Sequence, residues 1–133
     1  MISMVIRDIE WLYYLIFRYN FDILDILSIF AKEIVMRVIA KKTLVLFYTK
    51  HEDAETALEV WYEKTENSNW ENFAQLKQTF NAVDNVGNNR YVFNIKGNHY
   101  RLVALILFRI KMVYIRFIGT HKEYDQIKDI ENI

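Results

Sequence analysis

The sequence predicts an α+β fold, with helices packed on one face of a small antiparallel sheet. Three observations predict it. Apolar residues recur at spacings of three and four between residues 41 and 66, as Leu44, Phe47 and Tyr48, then Ala57, Leu58, Trp61 and Tyr62. After residue 89 the period changes to two, through "RYVFNIKGNHYRLVALILFRIKMVYIRFIG". Within that run Gly97-Asn98 separates two alternating stretches, which is a strong short-range hairpin signal.

The elements follow in order. "RVIA" (37–40) reads as a short strand. Helices are predicted from Lys41 to about Lys50 and from Glu52 to about Glu66, the carboxylates at 52–55 suiting a helix N-terminus. "TENSNW" (65–70) reads as a loop, "NFAQLKQTF" (72–80) as a short helix and "DNVGNN" (84–89) as a turn-rich connection. Three strands then follow, the second turn falling at Ile110-Lys111.

With 133 residues, 53% hydrophobic and 16% aromatic, the chain can bury a core and predicts one domain. It contains no cysteine, which excludes disulfides and thiolate chemistry and suits a reducing cytoplasm. Any zinc site would need its three histidines and carboxylates, and their scatter predicts no metal site. No Walker A, G-x-S-x-G or dinucleotide pattern is present.

Residues 1–35 differ in character. Arg18, Asp22 and Asp25 interrupt the apolar run, so it is not a membrane span. Arg7, Asp8 and Glu10 do not make a signal peptide's positive start. Leu12, Leu15, Ile16, Tyr19, Ile23, Ile26 and Phe30 follow helical spacing, as in an amphipathic helix. Met36 opens "MRVIAKKTL" like a fresh start. The expected division is therefore an N-terminal extension, 1–35, from a start placed too far upstream, and a domain, 36–133.

Formal net charge is zero, yet between residues 88 and 128 eight cations (Arg90, Lys96, Arg101, Arg109, Lys111, Arg116, Lys122, Lys128) meet only Glu123 and Asp125. If both hairpin turns hold two residues, Asn94 pairs with Arg101, Arg90 with Leu105, Lys96 with His99 and Leu105 with Arg116. One face then carries Tyr91, Phe93, Ile95, Tyr100, Leu102, Ala104, Ile106, Phe108, Val113, Ile115 and Phe117. The other carries Arg90, Asn94, Lys96, His99, Arg101, Arg109 and Arg116, with Tyr114 among them and Val92, Val103, Leu105 and Leu107 between. A basic face with interspersed aromatics suits a phosphate backbone, and a forked guanidinium can hold two phosphate oxygens. The competing reading is a solvated outer face.

"THKEYD" follows the last strand. His121 can carry a proton near neutral pH, and Tyr124 shares its side if 120–127 is helical. Metal-free RNA cleavage needs a base for the ribose 2′-hydroxyl, cations for the charge growing on phosphorus and an acid for the leaving oxygen. His121, Tyr124, Arg101 and Arg116 have that chemistry. The competing reading is a polar helix start with a packed tyrosine. His51, between two helices, reads as structural, and His99 at the hairpin tip as an RNA contact or a plain exposed residue.

"MRVIAKKTL", "VGNNRYVFNIKGNHYRLV" and "VYIRFIGTHKEYDQI" together resemble the HigB toxins of type II toxin–antitoxin systems, within the RelE-like group, over about residues 36–128. The resemblance implies a RelE-like fold with RNA on the sheet side away from the helices. It implies an endoribonuclease (an mRNA interferase) that cleaves ribosome-associated message without metal or other cofactor. It also implies a HigA-type helix-turn-helix antitoxin as partner, operator DNA reached only through the antitoxin complex, and a cytoplasmic location. Carried over by position, Arg101, Arg116, His121 and Tyr124 would be catalytic, and Arg90, Asn94, Lys96, Asn98, His99 and Lys122 would hold RNA. Two other classes compete: a non-catalytic RNA-binding module, and a degenerate toxin kept as an antitoxin-binding partner.

Overall fold

The computed structural model describes residues 35–133, together with residues 14 and 16–25 of the preceding segment. The chain divides into two units, Met1–Val35 and Met36–Ile133. In the first, residues 16–19 and 23–25 are helical, with a break between them where Asn20 takes a positive φ of 55°. The rest of the helix expected there lies outside the described residues. Among the described residues no helix is long and apolar enough to cross a membrane.

The second unit begins with β1 (Arg37–Ile39) and α1 (Lys41–Lys50). A 3-10 turn (Glu52–Ala54) leads into α2 (Glu55–Glu66). The short helix α3 (Phe73–Thr79) starts at Asn72, whose side chain accepts a hydrogen bond from the Gln75 amide, an ordinary N-cap. Strands β2 (Val83–Gly87), β3 (Arg90–Ile95), β4 (Tyr100–Leu107) and β5 (Met112–Thr120) follow, and helix α4 (His121–Asp125) leaves the end of β5.

The sheet has the order β1-β5-β4-β3-β2 and is antiparallel except for the parallel pair β1–β5. Leu44, Leu58, Trp61 and Leu76 from the helices bury against Phe93, Leu102, Ala104, Ile106, Val113 and Ile115 of the sheet. This is the α+β arrangement predicted, with helices on one face.

Two parts of the register differ from expectation. Asn94 does pair with Arg101 and Arg90 with Leu105. The second turn is wider than two residues: Phe108–Ile110 forms a 3-10 turn and Lys111 is left-handed (φ 59°). Leu107 therefore pairs with Met112, and Leu105 with Tyr114 rather than Arg116. Further along, the register shifts between Val103 and Ala104, which pair with Phe117 and Ile115, so Arg116 has no residue opposite it. That β-bulge reverses the alternation. Phe117, expected in the core, shares a face with Val103, and Ile118 packs against the core instead. The connection at 84–89 is also corrected: Val83–Gly87 is an edge strand, and the turn proper is Asn88-Asn89, both with positive φ.

The sheet's second face is not open throughout. Val92 and Val103 point to it by alternation, yet are 3% and 0% exposed. The chain after Thr120 passes over this face and reaches its far end. There the Asn88 side chain donates to the Glu131 carbonyl (3.0 Å), and Arg90 donates to the Ile133 carbonyl (2.7 and 3.1 Å). The segment 121–133 thus shields an apolar strip that the helices do not reach.

Candidate nuclease site at the sheet end

The β3–β4 hairpin tip and the start of α4 meet at one end of the sheet. Lys96 and Gly97 have positive φ (52° and 62°), so the tip is a loop of Lys96–His99, not a ladder pair of Lys96 with His99. Arg101 stands opposite Gly119, and Tyr100 opposite Thr120. The His99 carbonyl accepts the His121 amide at 3.0 Å, which stitches the tip to the helix start.

Arg101 was expected on an open face. It is instead 8% exposed, and three hydrogen bonds to the neighbouring chain hold its guanidinium. Its guanidinium donates to the Asn98 side-chain oxygen (2.5 Å), the Asn98 carbonyl (3.3 Å) and the Tyr100 carbonyl (3.1 Å). All three acceptors are neutral oxygens, so the positive charge is held in place without a carboxylate to neutralise it.

Thr120 and Glu123 form a reciprocal capping box that fixes the short helix α4. The Thr120 amide donates to the Glu123 carboxylate, which holds its pKa below the usual value. Within α4, Asp125 Oδ2 lies 3.0 Å from His121 Nδ1. The two atoms are close but not aligned as a hydrogen bond, and Nδ1 is buried without a hydrogen-bond partner. Tyr124 is half-buried, and burial raises the pKa of its phenol, while Arg101's charge pulls the other way. Tyr124 therefore remains a hydroxyl donor at neutral pH, and it lies within electrostatic reach of Arg101.

Arg116 is exposed at the bulge. The wider turn and the bulge bring it to about three ladder positions from Arg101, ~10 Å at strand rise. Gly119 has a steric reason: a Cβ there would lie 2.6 Å from the Phe117 ring, which occupies the space beside Arg101's ladder partner.

The other sequence-derived candidates separate. Asn98, His99 and Lys122 are exposed at this same end. Lys96 turns to the helix layer and pairs with Asp53 at 2.8 Å. Asn94 is half-buried and lines a depression beside Trp61 and Phe80 on the β3 side. Arg90 lies at the opposite end of β3, bound to carbonyls of Asn88 and Ile133. Lys111, counted among the basic residues, is buried and donates to the Trp70 carbonyl. The uniform basic face of the sequence reading thus contracts to one end of the sheet.

Sequence reasoning missed Asp53. Its carboxylate accepts from the Tyr100 hydroxyl (2.6 Å) as well as from Lys96, so the helix layer grips the hairpin tip from behind. Nothing local in "HEDAE" reveals this long-range contact. His51, read as structural, stacks on Phe47 and meets Tyr100 edge-on.

The family model HigB_toxin, described as the RelE-like toxic component of a toxin–antitoxin system, matches residues 54–127. The mRNA interferase toxin HigB of Escherichia coli strain K12 is 46% identical over 52 residues, covering 38% of this chain and 50% of that protein. The mRNA interferase HigB of Shigella flexneri matches to the same extent. The mRNA interferase HigB of Escherichia coli strain CFT073 is 27% identical over 94 residues, covering 69% of this chain and 91% of that protein. The chain thus spans about half the length of the first of these curated relatives.

Proposed function

The chain belongs to the HigB toxin family of RelE-like toxic components of toxin–antitoxin systems, and from that premise we propose that it is an endoribonuclease that cuts messenger RNA on the ribosome. The observation that carries this reading is the sheet end. A buried arginine with no carboxylate partner, Arg101, shares this sheet end with a histidine and aspartate in contact, His121 and Asp125, and lies within electrostatic reach of a protonated tyrosine, Tyr124.

Each group has a role that its surroundings suit. Arg101 is rigidly placed by Asn98 and offers its charge to a phosphate oxygen as the negative charge on phosphorus grows. Arg116, free on the bulge, grips a neighbouring phosphate or the opposite oxygen of the same one. Tyr124 donates a hydrogen bond to a phosphoryl oxygen. His121 hands a proton to the leaving 5′-oxygen, and Asp125 beside Nδ1 complements the charged form of the ring. Lys122, Asn98 and His99 extend the contact surface for RNA. No metal or other cofactor enters this chemistry.

In the cell the toxin is held by a HigA-type helix-turn-helix antitoxin, and it reaches operator DNA only within that complex. Its substrate places it in the cytoplasm. The test is tightly controlled expression in bacteria with and without a co-encoded antitoxin of that class, together with mapping of message ends. Growth arrest, new message ends and relief by the antitoxin are expected. A chain that binds ribosomes or RNA without generating new ends is a binding module, and one that binds the antitoxin without arresting growth is a degenerate toxin.

A further inference from the structure

His99 lies in the same loop that fixes Arg101. Its ring Nδ1 is 2.9 Å from the Lys96 carbonyl, which also accepts the His99 amide at 3.2 Å. A carbonyl oxygen can only accept, so the proton of the neutral ring resides on Nδ1. Nε2 is then left with its lone pair. The residue is exposed at the hairpin tip, which suits that lone pair to a ligand. Its main-chain oxygen holds the His121 amide, and its neighbour Asn98 holds the Arg101 guanidinium.

The two imidazoles at this end therefore have opposed surroundings. His99 is bonded through Nδ1 to a neutral carbonyl and presents an acceptor nitrogen. His121 has a carboxylate 3.0 Å from Nδ1, the complement of a positively charged ring. A free Nε2 lone pair on His99 suits that ring to accept a proton, and the carboxylate beside His121 suits the second ring to the complementary role. We infer that His99 is the general base of the cleavage, taking the 2′-hydroxyl proton on Nε2 while His121 serves as the acid.

The step balances. The ribose 2′-oxygen loses its proton to His99 Nε2 and forms a bond to phosphorus. The bond from phosphorus to the 5′-oxygen breaks, and that oxygen takes a proton from His121. The products are a 2′,3′-cyclic phosphate and a 5′-hydroxyl, and the two histidines end with exchanged protonation states. Arg101, two residues from His99 and anchored to its neighbour, faces the phosphoryl charge that develops between them.

The assignment rests on the nuclease reading above, and the experiment separates the two. Ribosome-bound message is prepared with either the natural 5′-oxygen or a 5′-bridging sulfur at the scissile position. The thiolate leaves without protonation, so only the base is then needed. Single-turnover cleavage and message binding are measured for wild type, His99→Gln and His121→Gln. His99→Gln is expected to cleave at least about a hundredfold more slowly on both linkages, the usual scale for a lost general base, while binding, to which its ring also contributes, falls far less than the rate. His121→Gln is expected to be slow on oxygen and restored towards wild type on sulfur. Added imidazole should partly restore a His99→Gly protein. The assignment is overturned if His99→Gln cleaves at the wild-type rate, or if its defect vanishes on the sulfur linkage. A wild-type chain that cleaves neither message overturns the nuclease reading itself, and the assignment with it.

Discussion

Asn98 and Arg101 hold each other across the β3–β4 hairpin, the guanidinium donating to the Asn98 side-chain oxygen at 2.5 Å and to its carbonyl at 3.3 Å. The loop thereby pre-sets the direction of a charge that folding has largely removed from water. Asn98→Ala removes the shorter bond and leaves the guanidinium two carbonyl acceptors. Cleavage should fall by about a hundredfold, the scale of an ångström-sized misplacement. Message binding should fall far less. Rapid-quench cleavage beside a filter-binding titration checks both, and equal losses in the two would show that Asn98 acts as an RNA contact instead.

Arg116 is exposed and has no residue opposite it in the ladder. Arg116→Ala should leave no cavity and change stability by no more than about 0.5 kcal/mol. Loss of a cation that meets transition-state charge should slow cleavage by about two to three decades. Thermal melting and a growth-arrest assay decide this. A protein that melts well below wild type would make Arg116 structural, and one that still arrests growth would make it dispensable.

Asp53 anchors the hairpin tip through Lys96 and Tyr100, and these two hydrogen bonds hold its pKa below the ordinary 3.8. A carboxylate whose folded pKa is depressed contributes stability above its unfolded value, and that contribution disappears as pH falls through the folded value. Stability should therefore drop below about pH 4 partly through Asp53. Urea melts at pH 7 and pH 3 test this. Asp53→Asn should narrow the difference between the two, and an unchanged difference would place the acid sensitivity elsewhere.

Among the described residues, Met36–Ile133 hold the five strands of the sheet, the core residues and every candidate site residue. This segment produced alone should melt cooperatively and arrest growth like the full chain. Circular dichroism melts and expression toxicity compare the two lengths. An insoluble or inert short form would assign residues 1–35 a part in folding or activity.

Much of the fold was legible because it rests on local patterns. The helical spacing at 41–66, the short helix read at 72–80 and the Gly97-Asn98 loop placed the helices and set Asn94 opposite Arg101. Features that depend on distant partners were not legible. β2 reads as turn because an exposed edge strand can be built from Asp84, Asn85 and Gly87, residues that also make turns. The bulge at Arg116 inserts one residue into an otherwise regular alternation, and no residue in "VYIRFIG" marks it. Lys96, Lys111 and Arg90 look like members of one basic patch, but long-range bonds to Asp53, Trp70 and Ile133 disperse them. The site's residue types were visible in "GNHYR" and "THKEYD". Their meeting depended on the pairing of Tyr100 with Thr120, which brings these two stretches together.

The most direct measurement of the central claim is the chemistry of the message ends. Purified chain, ribosomes and a defined message are mixed, a chelator is added after the message has bound, and the cut ends are analysed. In-line attack by the 2′-oxygen, driven by groups of the chain alone, predicts cleavage that persists in chelator and leaves a 2′,3′-cyclic phosphate and a 5′-hydroxyl. It also predicts that a single 2′-deoxy substitution at the cut position abolishes cleavage. Cleavage that stops in chelator, survives the 2′-deoxy substitution or leaves a 5′-phosphate would contradict the account.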